Sequence, residues 1–481
     1  MNTPHLTYPA SSSHKQNWFQ PSVAWIFIIL LIIASIIFSL AGAGKIVRIF
    51  FPIGSFCIGL LLYTCYPVMY VGFTWWIWML TPFIARLADY HSGWDPQRLM
   101  MVATYLVTLI PLVTIVKHSP RFIAQGAAPF VVSSMAILYG VVIGLLHSSP
   151  YTVARNFLDW ASPIVFGLYL FSRWPVYPAL CKNIQNVFLW GVGITGAYGV
   201  YQYFVAPEWD RFWLIESGMY TSSGNPEPFG IRVWSTMHSP GPFAAFITAG
   251  LLILFSSKSK FVVISNLFGY TSFLLTLVRT AWGSWLIGLF FLISSVKSGI
   301  QLRLISYVVV MTSILVPIVS MSPFISSIMA RLSTLTNLSQ DDSFNVRQGI
   351  YESSLNTALT SFVGNGIGGA WTVNDGTLKQ IIIDSGIIDV LLTLGWVGSI
   401  PYFAGLTVAL IRVLSSPSAK FDSFLSASRS ISISCFLQMI MGTSVIGLPG
   451  LLVWSFLGIS LAGDKYYQTY SPSQSNSVDI P

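Results

Sequence analysis

The chain has 481 residues, 54% hydrophobic and 8% charged, with a formal net charge of +8. Soluble domains usually carry about a quarter charged residues, so a soluble domain of ordinary size is excluded. The surplus Lys and Arg are spread over short loops, which reads as membrane topology rather than a nucleic-acid surface, and Cys57, Cys65, Cys181 and Cys435, with no C-x-x-C spacing, exclude a disulfide framework and a zinc site.

A polar tail, 1–23, precedes apolar runs at 24–43, 47–66, 68–85, 99–117, 128–147, 155–172 and 184–205. The first run lacks a small-residue cleavage site and reads as an uncleaved helix. After a polar interval, 206–238, further runs lie at 239–256, 261–278, 280–296 and 302–321. The longest polar interval, 322–383, is followed by runs at 386–412, 431–446 and 450–463, and a second tail, 464–481. Since a crossing takes roughly 20 apolar residues, these runs predict one all-α polytopic membrane domain, 24–463, with about 12 to 14 transmembrane helices. Lys117 with Arg121, Arg173 with Lys182, Lys258 with Lys260, Lys297 with Arg303, and Arg412 with Lys420 and Arg429 fall on alternate loops, which the positive-inside rule places in the cytoplasm. The two larger loops, 206–238 and 322–383, then face outward. Arg48, Arg86 and Arg98 fit that count less well, as though one early run did not cross.

Candidate chemistry concentrates in and beside the outer loops. Arg279 interrupts an apolar stretch from Phe261 to Ile293, where an ionisable group is costly unless it has a function or a partner. Guanidinium suits phosphate, so Arg279, Arg232, Arg347 and Arg331 are candidates for holding a diphosphate, against helix capping, snorkelling or simple loop charge. Asp384, expected at the outer boundary, suits a general base or a helix N-cap, and Glu352 is the reserve base. His238 is a candidate ligand or base, set against a structural His beside Ser and Pro. The Asp341 and Asp342 pair is weak evidence for a cation site, and Asp375 reads as loop charge. Asp159, one turn after Arg155, reads as half of an intramembrane ion pair. The string GNGIGG, Gly364 to Gly369, matches G-x-G-x-x-G without the surrounding strand-turn-helix unit, so its glycines are expected to make tight turns rather than bind nucleotide. Trp209, Trp213, Tyr220 and Phe229 could stack on sugar rings or rest on the bilayer. No metal-ligand spacing or nucleophile signature appears, and neither a metal nor a cofactor is expected.

In their order along the chain, four blocks resemble the O-antigen ligase and O-antigen polymerase superfamily of bacterial membrane glycosyltransferases, most closely its exopolysaccharide polymerase branch. They are RVWSTMHSPGPFAAFI, LTLVRTAWGSWL, the long loop RLSTLTNLSQDDSFNVRQGIYESSLNTALTSFVGNGIGG, and DSGIIDVLLTLGWVG; PFIARLADYHSGWD also resembles a motif of that branch. The resemblance implies a metal-independent, inverting transfer of glycan from undecaprenyl diphosphate to a sugar hydroxyl of a lipid-linked repeat, on the periplasmic side of the inner membrane. It implies that Arg232, Arg279 and Arg347 hold the diphosphate, and that a flippase and a chain-length regulator act in the same pathway. Ligases of the family carry a His-Asn pair where this chain has Asp384 and Ser385, and often a Glu where it has Thr393, which disfavours a ligase acting on lipid A-core. A lipid-linked oligosaccharide transporter is the alternative of another class; transporters place polar groups near the midplane, whereas here they gather in outer loops.

Overall fold

A computed structural model describes residues 21–296, 354–369, 371–374, 377–380, 385–440, 442 and 445–470, with scattered positions between 301 and 329. The described chain is helical apart from one hairpin. In order the helices are α1 (Pro21–Leu40), α2 (Gly44–Cys65), α3 (Pro67–Ser92), α4 (Val102–Leu109), α5 (Leu112–Lys117), α6 (Ser119–Phe122), α7 (Ala128–His147), α8 (Pro150–Ser172), α9 (Tyr177–Val205), α10 (Glu208–Glu216), α11 (Tyr220–Ser223), α12 (Pro240–Leu254), α13 (Val262–Leu275), α14 (Arg279–Ser295), α15 (Gly386–Ser415), α16 (Ser423–Ile440) and α17 (Gly447–Tyr470). The hairpin pairs β1 (Trp371–Asn374) antiparallel with β2 (Thr377–Gln380). Asp-Gly between two short runs is a strong two-residue hairpin signal, so this strand pair, absent from the all-α expectation, was legible in the sequence.

Among the described residues, seven helical segments are long and apolar enough to cross a membrane; α8 and α9 pass as a pair bent by 64°, and α12 and α13 are shorter apolar helices. The early runs 24–43, 47–66 and 68–85 all pass, so no early run has to stay on one side. Most boundaries agree with the apolar runs. Several helices outrun their apolar runs: α3 continues to Ser92, α9 starts at Tyr177, α17 continues to Tyr470, and α16, expected from residue 431, begins at Ser423. Its serines hide their polarity within the helix: Ser430 and Ser432 donate to the carbonyls of Ser426 and Ser428, each at 3.0 Å. Two more polar groups bind across to α14, Ser434 Oγ to the Ser284 carbonyl (2.8 Å) and Gln438 Nε2 to Ser284 Oγ (2.7 Å). Interhelical hydrogen bonds of this kind replace a hydrophobic driving force that lipid does not supply.

The centre of the bundle is α17, the most enclosed of the candidate spans at 89% buried. It lies along α8 at backbone contact, because Gly167 and Gly458 leave no side chain between them: a Cβ on Gly458 would sit 2.1 Å from the Gly167 carbonyl oxygen. Small residues at a membrane-helix crossing permit this approach. At the periphery, α1 and α2 turn Ile29, Leu30, Ile33, Ile46, Ile49 and Ile53 outward, as lipid-facing helices must. Of the cysteines, Cys181 and Cys435 are core residues and Cys57 and Cys65 lie on the exposed surface.

Contacts between successive helices sort the loops onto two ends of the bundle. One end gathers Lys117, Arg121, Arg173, Lys182, Lys258, Lys260, Arg412, Lys420, Arg429 and Lys465 against only Asp422 and Asp464 among the described residues. At the opposite end, basic and acidic residues balance, and two of the three out-of-place arginines are neutralised. Arg48 pairs with Asp89 at 2.6 Å and Arg86 pairs with Asp210 at 2.8 Å.

A broken helix shapes the balanced end. α15 is interrupted at Gly395 (φ 59°, ψ −173°), a conformation open essentially only to glycine. The break frees the carbonyls of Leu392 and Thr393, and the GNGIGG segment fills them, Asn365 N donating to Leu392 O (2.9 Å) and Gly366 N to Thr393 O (2.8 Å). Ile367 N donates to Gly140 O on α7 at 2.8 Å. The expected tight turns are therefore present, with positive φ at Gly364, Gly366 and Gly368, and their task is to plug a gap between α7 and α15.

Candidate functional site

The balanced end is built on one buried polar knot. Arg86, projecting from the last turns of α3, is 1% exposed, and Asp210, in the first turn of α10, is fully buried. Arg86 Nε meets Asp210 Oδ1, Nη2 donates to Ser235 O at 2.5 Å, and Nη1 donates to Met237 O. The other carboxylate oxygen, Oδ2, accepts from Tyr198 OH and Gln202 Nε2 on α9, both at 2.8 Å. Gln202 Oε1 in turn accepts the backbone N–H groups of Trp234 (3.0 Å) and Ser235 (2.8 Å). A charge is tolerated at such depth only when paired and hydrogen-bonded; here the pair is held by the Nε–Oδ1 ion contact and by hydrogen bonds to the other guanidinium nitrogens and to Oδ2. Burial pushes the Asp210 carboxyl upward and the Arg86 guanidinium opposes the shift. The knot fastens the outer loop 206–238 onto α3 and α9.

On this platform the predicted residues take different parts. Arg232 is a clasp: Nη1 donates to Ser222 O (2.6 Å), Nη2 to Leu277 O (3.2 Å) and Nε to Thr276 O (3.3 Å). It holds the turn whose strained Leu277 (φ 55°) leads into α14, so Arg232 sets the position of Arg279, the partly buried first residue of that helix. Trp213 is buried against Trp234, ring centroids 5.5 Å apart, and Trp209 donates to Tyr198 OH at 2.7 Å, so both belong to the loop's own core. Phe229 packs on Tyr203 and Phe204, and Tyr220 remains exposed.

His238 sits where the loop meets α3 and the turn before α4. Its Nδ1 is buried with no hydrogen-bond partner among the described residues, as are Thr236 Oγ1, Trp234 Nε1 and Ser223 Oγ nearby. Burial, then the charges of Arg98 and Arg86, push its pKa down to about 3, so the ring is neutral at physiological pH and able to accept a hydrogen bond. An unfolded chain would take up that proton near pH 6.5. Between about pH 6 and pH 4 the unfolded state binds more protons than the native state, so this residue makes stability fall as pH falls. His238→Asn should flatten the acid limb of a thermal-stability profile in that window; an unchanged slope would mean the ring is not enclosed as described.

Two arginines that the topology count treated as misfits or structural charges complete the arrangement. Arg98 occupies a left-handed conformation (φ 50°) imposed by a tight turn, in which Asp95 accepts from Gln97 N (3.1 Å) and Leu99 N (2.8 Å). Its guanidinium lies over Trp94, 5.9 Å from the ring centroid, and burial together with the charge of Arg155 lowers its pKa. Below it on the same helical face, Tyr105 donates its hydroxyl to Asp159 of α8. The expected Arg155–Asp159 ion pair therefore does not form; Asp159 takes the tyrosine hydroxyl. Arg155, exposed, has no ion pair or hydrogen bond among the described residues. Among the described residues no carboxylate lies at ion-pair distance from Arg98 or Arg155, although the charges of Asp89 and Asp95 reach Arg98 and that of Asp159 reaches Arg155; Arg98 stands next to a neutral imidazole. What could have revealed them is parity: basic residues on the wrong side of a positive-inside count need a carboxylate or a ligand.

Asp384, Glu352, Arg347 and Arg331, with Asp341, Asp342 and Asp375, lie outside the described residues. Beside Asp384, the start of α15 is stitched to the end of α16, Gly386 N donating to Gly442 O (2.8 Å) and Ser385 Oγ to Ile440 O (3.2 Å). Comparison with protein-family models and with curated proteins finds no match for this chain.

Proposed function

We propose that the protein is a polysaccharide polymerase of the bacterial inner membrane, with 12 to 14 crossings and its charge-balanced end outside the cytoplasm. It transfers glycan from undecaprenyl diphosphate to a sugar hydroxyl of a second lipid-linked repeat. The observation that carries the reading is the charge arrangement of the two ends. The predominantly basic end suits the cytoplasmic side. At the other, Arg48 and Arg86 are paired with carboxylates, while Arg98 stands beside a neutral His238 and within electrostatic reach of Arg155. That set fits an anionic leaving group.

In the reaction, the acceptor oxygen bonds to the anomeric carbon as the bond from that carbon to the diphosphate oxygen breaks. The lipid diphosphate leaves with the electron pair, offset by the arginines, with Arg347 and Arg331 of the outer loop as further holders. The acceptor proton passes to a base, Asp384 or Glu352. No metal is needed, because the guanidinium groups supply the positive charge. A transporter reading is less well supported: the backbone break in α15, which in a transporter would line a midplane site, is filled by the Asn365 and Gly366 amides. A lipid A-core ligase remains disfavoured by the absent His-Asn pair.

The test is glycan length in the producing cell for Asp384→Asn, Arg279→Ala and Arg155→Ala, at matched membrane levels. Removing one charge-stabilising donor costs about a hundred-fold or more in rate, so high-molecular-weight polymer should vanish and single lipid-linked repeats accumulate outside. Normal polymer from all three variants overturns the reading. Accumulation on the cytoplasmic face would make the protein a flippase.

A further inference from the structure

A cavity of about 610 Å³ opens between α1, α3 and α9 in the half of the bundle nearest the basic end. Its walls are single helical faces: Met69, Gly72, Phe73 and Trp76 recur at i, i+3, i+4 and i+7 on α3, and Asn183, Asn186, Val187 and Trp190 repeat that spacing on α9. From Asn183 to Ile194 the groove extends about 16 Å along the helix at 1.5 Å per residue. That is about half the 30 Å hydrocarbon core, the depth of one leaflet. The wall is apolar and aromatic throughout this length, and polar groups occur only at its mouth, where Asn183, Asn186 and Ser259 are found.

The mouth has a definite chemistry. Lys182 adjoins Asn183, and Lys258 and Lys260 flank Ser259; all three are exposed, with Lys260 Nζ 5.4 Å from the Phe261 ring centroid. Of the carboxylates described at this end, Asp422 is engaged by the Tyr177 and Tyr467 hydroxyls and Asp464 by those of Ser416 and Ser418, and neither forms an ion pair with these lysines. Asn183 Oδ1 is buried and has no hydrogen-bond donor among the described residues. Gly72 keeps the space beside it, since a Cβ there would stand 2.8 Å from that oxygen. An occupant must bring an acyl chain one leaflet long, a negative charge for the lysines and a donor for the asparagine oxygen.

We infer that this groove binds an anionic glycerophospholipid with a hydroxyl-bearing headgroup, drawn from the leaflet at the basic end. Its acyl chain lies along Phe73, Trp76 and Trp190, its phosphate faces Lys182, Lys258 and Lys260, and its headgroup hydroxyl donates to Asn183. The site is at the opposite end from the arginine cluster and does not depend on the proposed transfer reaction. Phosphatidylcholine has the chains but neither the net charge nor a donor. A polyprenyl phosphate has charge and a chain but no headgroup hydroxyl on carbon to reach Asn183.

The experiment is native mass spectrometry of the delipidated full chain offered equimolar dioleoylphosphatidylglycerol, dioleoylphosphatidylcholine and a C55 polyprenyl phosphate. Each lysine near an anionic headgroup contributes about five-fold in affinity, so phosphatidylglycerol should be retained at least ten-fold over phosphatidylcholine. The triple variant Lys182→Gln, Lys258→Gln, Lys260→Gln should bring the two within a few-fold. Ile194→Trp, which fills the inner end of the groove at a half-exposed position, should reduce retention of both. Equal retention of the two phospholipids by the unaltered protein, a preference that survives the triple substitution, or displacement by the polyprenyl phosphate would each overturn the inference.

Discussion

Arg86→Leu should destabilise the protein by about 3–5 kcal/mol, the usual cost of stripping one partner from a buried ion pair. The loss arises because Asp210, 0% exposed, would keep its charge or take up a proton without its strongest donor, while the carbonyls of Ser235 and Met237 would lose theirs. Asp210→Leu should cost a similar amount from the other side. The double variant should recover much of the loss, since two apolar groups of similar volume leave no charge unpaired. Thermal unfolding in detergent reads the stability, and limited proteolysis reads the outer loop, whose attachment to α3 and α9 passes through this knot. Single variants that unfold with the parent, with the loop still protected, would show that the pair does not anchor it.

Gly366→Ala and Gly395→Ala are expected to be comparably severe, for a steric reason. At Gly366 (φ 75°) an added Cβ would lie 2.1 Å from the Gly144 amide nitrogen, and at Gly395 (φ 59°) it would lie 2.3 Å from the Val363 carbonyl carbon. Neither neighbour is a side chain able to swing aside. Undocking would leave the Leu392 and Thr393 carbonyls unsatisfied inside the bundle at about 1–3 kcal/mol each, on top of the strain in either glycine. Ile367, fully buried in the intact protein, offers the readout. A single cysteine at that position should resist a membrane-impermeant maleimide in the parent and label in the alanine variants. Protection in both would mean that the loop tolerates the insertion and that the packing is looser than the backbone contacts imply.

Both predictions concern parts of the sequence that could be located but not interpreted from the chain alone. The glycine string was readable as a set of turns because positive φ is glycine's particular property. That it plugs a broken helix was not, since the break lies in α15 and the partner carbonyls are reached only after folding. Arg232 and Arg279 were readable as costly charges near a membrane boundary. Yet Arg232 is occupied by the carbonyls of Ser222, Thr276 and Leu277, and its effect on any substrate passes through the turn that carries Arg279. The Arg155–Asp159 reading failed for the same reason. Helical spacing puts the two on one face, but Tyr105, on another helix, was the nearer partner for the carboxylate.

The sequence by itself determined the membrane class, most helix boundaries and the segregation of charge along the chain. Each of these follows from local quantities: the length of an apolar run against the thickness of hydrocarbon, and the surplus of lysine and arginine in the loop beside it. Only the tertiary structure decided which arginines are spent and which are left. A guanidinium looks the same in every loop, and its chemistry depends on whether a carboxylate or a carbonyl from distant sequence reaches it. Asp89 and Asp210 neutralise Arg48 and Arg86, whereas among the described residues packing brings no carboxylate to ion-pair distance from Arg98 or Arg155.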